Sequence, residues 1–263
     1  MNRDGVARTA TLGSVANAAR ALKSFTNLEP EWGVSDLARR LGVAKSTTHR
    51  VLATLTDEGL LEQNADSGRY RLGLAVFDLA AAVQSLDLHE AAMAAMTDLR
   101  NRTGETVQLA VLDGREVVYV ERLDSPNLLR LFRDLGRRNS AHSSASGKAL
   151  LAFSPPEAVD RLLRSWKLRA RTPHTITTVT ALRAELSHVR ERGYACNRNE
   201  YEIGVVSVAA PIRDASGTTV AAVSVAGPSS RLDPIELQVA QATMETAALI
   251  SRRLGFRSTR GAT

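Results

Sequence analysis

Ser146-Gly147-Lys148-Ala149 is the segment of this sequence that comes nearest to a phosphate-binding loop. Such a loop needs a glycine where His142 stands and a serine or threonine where Ala149 stands, because the hydroxyl must reach a metal ion. Phosphate-loop chemistry is therefore excluded. His89-Glu90 lacks the second histidine of a zinc-protease helix, since position 93 is Met93. The single cysteine, Cys196, has no thiol partner, and the five histidines are scattered without metal-ligand spacing. No nucleophile–base pair is recognisable. The reading is a non-enzyme with no catalytic residue, metal or cofactor.

A different chemistry is legible between Ser35 and Leu72. Leu37 and Leu41 give a short helix its buried face, Ser35 can cap it and Gly42 ends it. A second helix starts at Ser46 and runs through Thr56, with Thr48, Val51, Leu52 and Leu55 as its core stripe and Gly59 as its stop. Two short helices around a glycine-containing turn make a helix-turn-helix. Leu60–Gln63 and Arg69–Leu72 flank the polar turn 64–68 as a hairpin, which is a wing. The candidate DNA contacts on the second helix are Lys45, Ser46, Thr47, Thr48, Arg50 and Thr54, joined by Arg69 and Arg71 on the wing. The helix start with Lys45 and Ser46 suits phosphate, and Thr47 and Arg50 suit base edges. A small helical subdomain that binds protein is the competing interpretation of the same block.

Bulk charge adds little. The chain has 34 basic and 28 acidic residues in 263, a net charge of +6. Residues 1–73 hold ten Lys/Arg against eight Asp/Glu, so a DNA site depends on placement. No apolar run approaches the roughly 18 residues of a membrane helix. With one cysteine and no leader pattern at its start, the chain is expected in the cytoplasm.

The rest of the chain must position these groups. A first amphipathic helix is expected from Ser14 to near Leu28, preceded by a flexible basic tail over residues 1–13. Residues 14–73 form the winged helix-turn-helix and 74–86 a linker helix. Leu74 to Val83 is apolar nearly all round, so a second subunit or the following domain must cover it. Residues 87–255 form a second domain, followed by a tail over 256–263. Its helices are read from Asp87 with a capping box to Glu90, through Phe153, from Ser154-Pro155-Pro156-Glu157 with Ser154 as cap, over Thr180–Arg192, and from Asp233. Its strands are read at Val107–Val111, Val118–Glu121, Leu128–Arg133, Ile203–Ile212 and Thr219–Ala226. The fold class is α+β, an antiparallel sheet with packed helices behind an N-terminal winged helix-turn-helix.

The run 37–52, Leu-Ala-Arg-Arg-Leu-Gly-Val-Ala-Lys-Ser-Thr-Thr-His-Arg-Val-Leu, followed by Leu55 and Glu58-Gly59-Leu60, resembles the reading head of the IclR family of bacterial regulators. Gly193-Tyr-Ala-Cys-Asn-Arg-Asn-Glu200 and Gly204-Val-Val-Ser-Val-Ala-Ala-Pro-Ile-Arg-Asp214 resemble that family's sensor signature, and the likeness extends from about Ser14 to Gly255. It implies a sensor sheet related to the GAF and profilin-like folds, homodimers joined through the DNA-binding domains, and often pairing of dimers on double-stranded operator DNA. It also implies control of catabolic operons, by repression or activation, in response to small organic acids. By the same resemblance the effector site falls on Leu128, Leu131, Asn139, Ala145, Ser146, Asn197, Val205, Ser207, Ser224 and Ala226.

Two positions depart from the family pattern. Asn197 stands where Asp or Ser is usual, and Arg213 where an aromatic residue or His is usual. Ala226 replaces a serine often found there. Losing an acid at 197 favours an anionic ligand, and Ala226 enlarges the apolar wall completed by Leu128, Leu131 and Val205. A small organic anion larger than a two-carbon acid, of the aromatic kind, is the expected effector. The segment His142 to Lys148 is expected to close the pocket, its helical amides facing a carboxylate, with Ser146, Asn197, Ser207 and Ser224 as polar contacts. An enzyme acting on the bound molecule, and a DNA-binding protein without a ligand, are the rival readings.

Overall fold

The computed structural model describes residues 12–26, 29–81, 86–127 and 138–257. Most of the basic tail, the ends assigned to Leu28 and Val83, the strand expected at 128–133, and residues 258–263 lie outside the described residues. The chain divides into two units, 1–84 and 85–263.

In the first unit, α1 (Gly13–Leu22) ends sooner than its apolar periodicity suggests. Ser24 turns its carbonyl to the indole N–H of buried Trp32, which donates to it at 2.9 Å, so the chain leaves the helix to satisfy that donor. Helix α2 (Val34–Leu41) is capped by Gly33; Ser35 lies inside the first turn and caps nothing. Gly42 ends it at φ 64, a left-handed conformation that suits glycine. Helix α3 (Lys45–Asp57) follows, then β1 (Leu61–Gln63) and β2 (Tyr70–Leu72) in an antiparallel hairpin. Trp32 and Tyr70 exchange backbone hydrogen bonds at 2.9 and 2.8 Å, tying the wing to the loop before α2. Ala21, Phe25, Leu37, Leu52, Leu55 and Leu61 fill the core between these elements. Helix α4 (Ala75–Ala81) leaves Gly73, where an added Cβ would lie 2.2 Å from the Gly59 carbonyl oxygen.

The second unit opens with α5 (Leu86–Thr103), in which Asp87 already lies in the first turn. A six-stranded antiparallel sheet follows in the order β5-β4-β3-β8-β7-β6. Its strands are β3 (Thr106–Asp113), β4 (Glu116–Leu123), β5 (Arg138–Ser140), β6 (Ala195–Arg198), β7 (Val205–Arg213) and β8 (Thr219–Pro228). Between β5 and β6 run α6 (Ala145–Phe153), α7 (Pro156–Leu163) and α8 (Val179–Arg192). After β8 come the short α9 (Ser229–Leu232) and α10 (Glu236–Arg253). Pro155 occupies the cap position of α7, while the Ser154 hydroxyl instead donates to the Leu150 carbonyl at the end of α6.

Alternation along the strands divides the core. Val107, Leu109, Val206, Val208, Val223 and Val225 face α5 and α10. Ala110, Val117, Tyr119, Ala209 and Ala222 face α6 and α8. Both faces are covered, so β7 reads as a continuous apolar run broken by Ser207. The small residues on the second face let α6 lie close to the sheet. Gly147 in the first turn of α6 lies against the 3-10 turn that starts at Ala141, where an added Cβ would stand 2.2 Å from the Ala141 carbonyl oxygen.

Candidate nucleic-acid interface and sensor site

Helix α3 directs Leu52 and Leu55 into the core and leaves Lys45, Ser46, His49, Arg50 and Thr54 exposed, with Thr47 half-buried. Thr48, expected among the DNA contacts, is only 2% exposed, and its hydroxyl donates to the Ala44 carbonyl at 3.2 Å. It shares the buried stripe of Leu52 and Leu55 at i, i+4, i+7 spacing, so it is a core residue. His49 takes its place on the outward face, and its adjacency to Arg50 three residues after Ser46 is the signal that could have marked it. The hydroxyl of Thr54 donates to the Arg50 carbonyl at 3.0 Å.

The wing arginines have protein partners. Arg69 is half-buried and donates to the Glu31 carbonyl at 2.9 Å, so it braces the base of the wing. Arg71 is exposed and pairs with Glu62 directly across the hairpin. The turn between them is built by Asn64, whose side-chain oxygen accepts from the Asp66 and Ser67 amides.

On the sensor unit the register places Asn197 opposite Ser207, Ser207 opposite Ala226, and Ala226 opposite Thr106. The adjacent row runs Ala209, Ser224, Gln108, Arg122. Cross-strand partners share a face, and Ala209 assigns it to the α6 side. Val205 falls on this face by alternation. Ala145 and Ser146 belong to the first turn of α6, which packs against β6, β7 and β8. All of these candidates are buried. Asn139 is also buried on this face, beside Val117, but on β5 at the opposite edge of the sheet from Asn197. Its amide donates to the Tyr119 hydroxyl at 3.4 Å. Leu128 and Leu131 lie outside the described residues.

The polar groups on this face differ in their commitments. The Asn197 side-chain oxygen accepts from the Glu200 amide at 2.8 Å and so shapes the turn after β6. Ser146, Ser207, Ser224 and Gln108 are buried polar side chains on this face, and the Asn139 side-chain oxygen is buried with no partner among the described residues. Arg122, whose side chain is 5% exposed, pairs with Asp124 at 2.6 Å. Gln108, Tyr119 and Arg122 were missed from sequence because polar residues in an alternating strand normally mark its solvent face.

The segment His142 to Lys148 is buried throughout as a short 3-10 turn and the first turn of α6, so it is a packed wall. The Ser144 hydroxyl, not Ser146, caps α6 by accepting from the Gly147 amide at 3.1 Å. His142 places Nε2 3.2 Å from the Arg169 carbonyl oxygen and meets Trp166 edge-on. Burial holds its pKa below the usual histidine range. Lys148 is 1% exposed, with Nζ 2.5 Å from Glu200 and 3.3 Å from Glu185. Burial raises the Glu200 carboxyl above its ordinary range, and Lys148 opposes that rise.

Among the described residues no cluster of His, Cys, Asp and Glu is placed to hold a metal ion, and no helix is long and apolar enough to cross a membrane. Comparison with known proteins matches residues 14–65 to the IclR helix-turn-helix domain and residues 80–252 to the bacterial transcriptional regulator IclR C-terminal domain. The HTH-type transcriptional regulator XynR of Escherichia coli K12 is 35% identical over 92% of this chain and 97% of its own length. The glycerol operon regulatory protein of Streptomyces griseus is 36% identical over 92% of this chain and 96% of its own length. An IclR homologue from Microbacterium hydrocarbonoxydans, crystallised with 4-hydroxybenzoate, superposes with a TM-score of 0.82 at 31% identity, covering 92% of this chain and 98% of that one. These relatives are named as regulators and not as enzymes, and the match spans both the reading head and the sensor sheet: the chain belongs to the IclR family of DNA-binding bacterial transcriptional regulators.

Proposed function

We propose that this regulator acts in the cytoplasm as a homodimer on a pseudo-palindromic operator of a catabolic operon. It senses a small organic acid on the α6 face of its sensor sheet. The observation that carries the ligand reading is the row of buried polar side chains on this otherwise apolar face, Ser146, Ser207, Ser224 and Gln108, together with the Asn139 side-chain oxygen, which is buried there with no partner among the described residues. An unsatisfied buried polar group costs about 1–3 kcal/mol, and a bound ligand or ordered water removes that cost. The complex of the Microbacterium relative with 4-hydroxybenzoate supports an aromatic acid as a member of the effector class.

Calorimetry against a panel of aromatic and aliphatic carboxylates tests this reading. At least one acid should bind the full chain, and Ser207→Phe or Ser146→Phe should weaken it about tenfold or more by setting a bulky ring among these polar side chains. Binding that survives both changes would place the effector elsewhere.

For DNA, α3 is assigned to the major groove, with Lys45 and Ser46 at phosphate and Thr47, His49 and Arg50 at base edges. Arg50→Ala should cost about 1–3 kcal/mol of operator affinity and change the preferred sequence. Fluorescence anisotropy on fragments selected from genomic DNA measures both. An unchanged affinity and preference would remove Arg50 from the reading face. Which small molecule alters operator binding, and in which direction, follows from repeating that selection with candidate acids added.

A further inference from the structure

A groove of about 640 Å³ lies on the sensor unit where the last turns of α10 meet the end of β7 and the α8–β6 junction. Its floor is carbon from Met244, Ala247 and Phe256, and its rim carries the three cations Arg213, Arg252 and Arg257. None of the described residues that line it is acidic. We propose that this groove is a second ligand site, separate from the α6 face, that takes a small aromatic carboxylate.

Arg213 sits just after a register shift in the β7–β8 pairing, and its amide donates to the Ser251 hydroxyl at 2.9 Å. Its guanidinium carbon lies 5.2 Å from the centre of the Phe153 ring and 5.4 Å from that of the Phe256 ring. A guanidinium held beside aromatic rings keeps N–H donors that can pair with a carboxylate. None of the three arginines has a carboxylate within salt-bridge distance among the described residues. The neighbouring acid does not neutralise them. Asp214 directs Oδ1 to the amides of Ser216 and Thr218 and to the Ser216 hydroxyl, within its own turn.

Complementing the negative end of the α10 dipole explains a basic residue in its last turn, yet it does not explain the groove. Arg213 and Arg257 are outside that helix, and Arg253, which is inside it, instead donates to the Ala91 carbonyl at 2.8 Å. Three like charges beside an apolar floor repel one another until an anion joins them. A flat apolar body on Met244 and Phe256 with its carboxylate toward Arg213 satisfies the floor and the rim together. The volume is within the range of small-molecule sites.

The test uses the full chain labelled with carbon-13 at the methionine methyls, of which Met244 lines the groove. Titration with 4-(trifluoromethyl)benzoate should move the Met244 methyl to saturation at millimolar concentration or below. The uncharged 4-(trifluoromethyl)benzamide should bind there about tenfold or more weakly, and Arg213→Gln with Arg257→Gln should weaken the acid by a similar factor. Arg252→Gln with Arg257→Gln, both at exposed positions, gives the same direction of change without touching Arg213. Ser207→Phe should leave the Met244 titration unchanged, which separates this site from the one on the α6 face. A Met244 methyl that does not move, that moves equally with the amide, or that is indifferent to both arginine pairs overturns the proposal.

Discussion

Lys148→Met should cost the sensor unit about 3–5 kcal/mol of stability, the loss expected when one partner of a buried ion pair is removed. Lys148 is almost wholly enclosed, and its ammonium is the counter-charge of Glu200 at 2.5 Å. The other Glu200 oxygen is buried with no partner among the described residues, so the carboxylate depends on this one neighbour more than an exposed acid would. Glu185 is shared with Arg192 at 2.9 Å and keeps a cation after the change. Methionine matches the length of the lysine stem, so the loss reports charge more than volume.

The pH dependence follows from the direction of the Glu200 shift. Its folded-state pKa is raised, so its contribution to stability is fully present below the unfolded carboxyl value and is lost as pH rises through the folded one. Removing Lys148 removes a group that lowers that pKa and raises it further. The deficit of Lys148→Met should therefore be largest at neutral pH and shrink in acid, where Glu200 is protonated in both proteins. Denaturant unfolding across a pH series, followed by circular dichroism, measures it. Lys148→Met with Glu200→Gln should recover part of the loss, because no buried charge is then stranded. A pH-independent deficit, or none at all, would show that the pair carries no such coupling.

Lys148 also shows where sequence reading reached its limit. It stands in a Ser-Gly-Lys-Ala run that lacks the residues of a phosphate loop, and nothing local then says that its partner is Glu200, brought beside it by the turn after β6. The elements that were legible are those written in local terms. The stop at Gly42, the hairpin turn at Gly114 and the amphipathic stripe of α3 depend on backbone conformation and spacing within a few residues. Short edge strands were not legible. Arg138–Ser140 and Ala195–Arg198 have too few residues and too little apolar alternation to stand out, and they exist because β4 and β7 offer them free edges. Caps misled where several polar residues competed: Gly33 took the position expected of Ser35, and Pro155 that expected of Ser154. The α6 face was reached through the resemblance at Asn197, Ser207 and Ser224. Gln108 and Arg122 joined them only through cross-strand register, which a single strand does not encode.

Placing glutamates at Phe77 and Leu79 together should convert the protein to a monomer and lower operator affinity by about two to four orders of magnitude, the gain that joining two binding modules normally provides. Leu74, just before helix α4, and Phe77 and Leu79 on it face solvent at 78, 73 and 59% exposure, while Val76 is half-buried within its own unit. Covering a side chain of this size removes apolar surface worth about 1.5–3 kcal/mol, so three of them on each of two copies form a credible twofold interface. Asp78 on the same helix is exposed and keeps the seam short of fully apolar. Charges at 77 and 79 would be buried against the matching charges of the second copy and repel it. Because both positions are exposed in the single chain, the substituted protein should keep its own fold, which circular dichroism verifies. Light scattering should then find a dimer for the wild type at micromolar concentration and a monomer for the variant. A single half-site should bind both proteins alike, and the paired half-sites should bind the variant no better than one. A wild type already monomeric under these conditions, or a variant that still discriminates paired from single half-sites, would assign α4 to another partner.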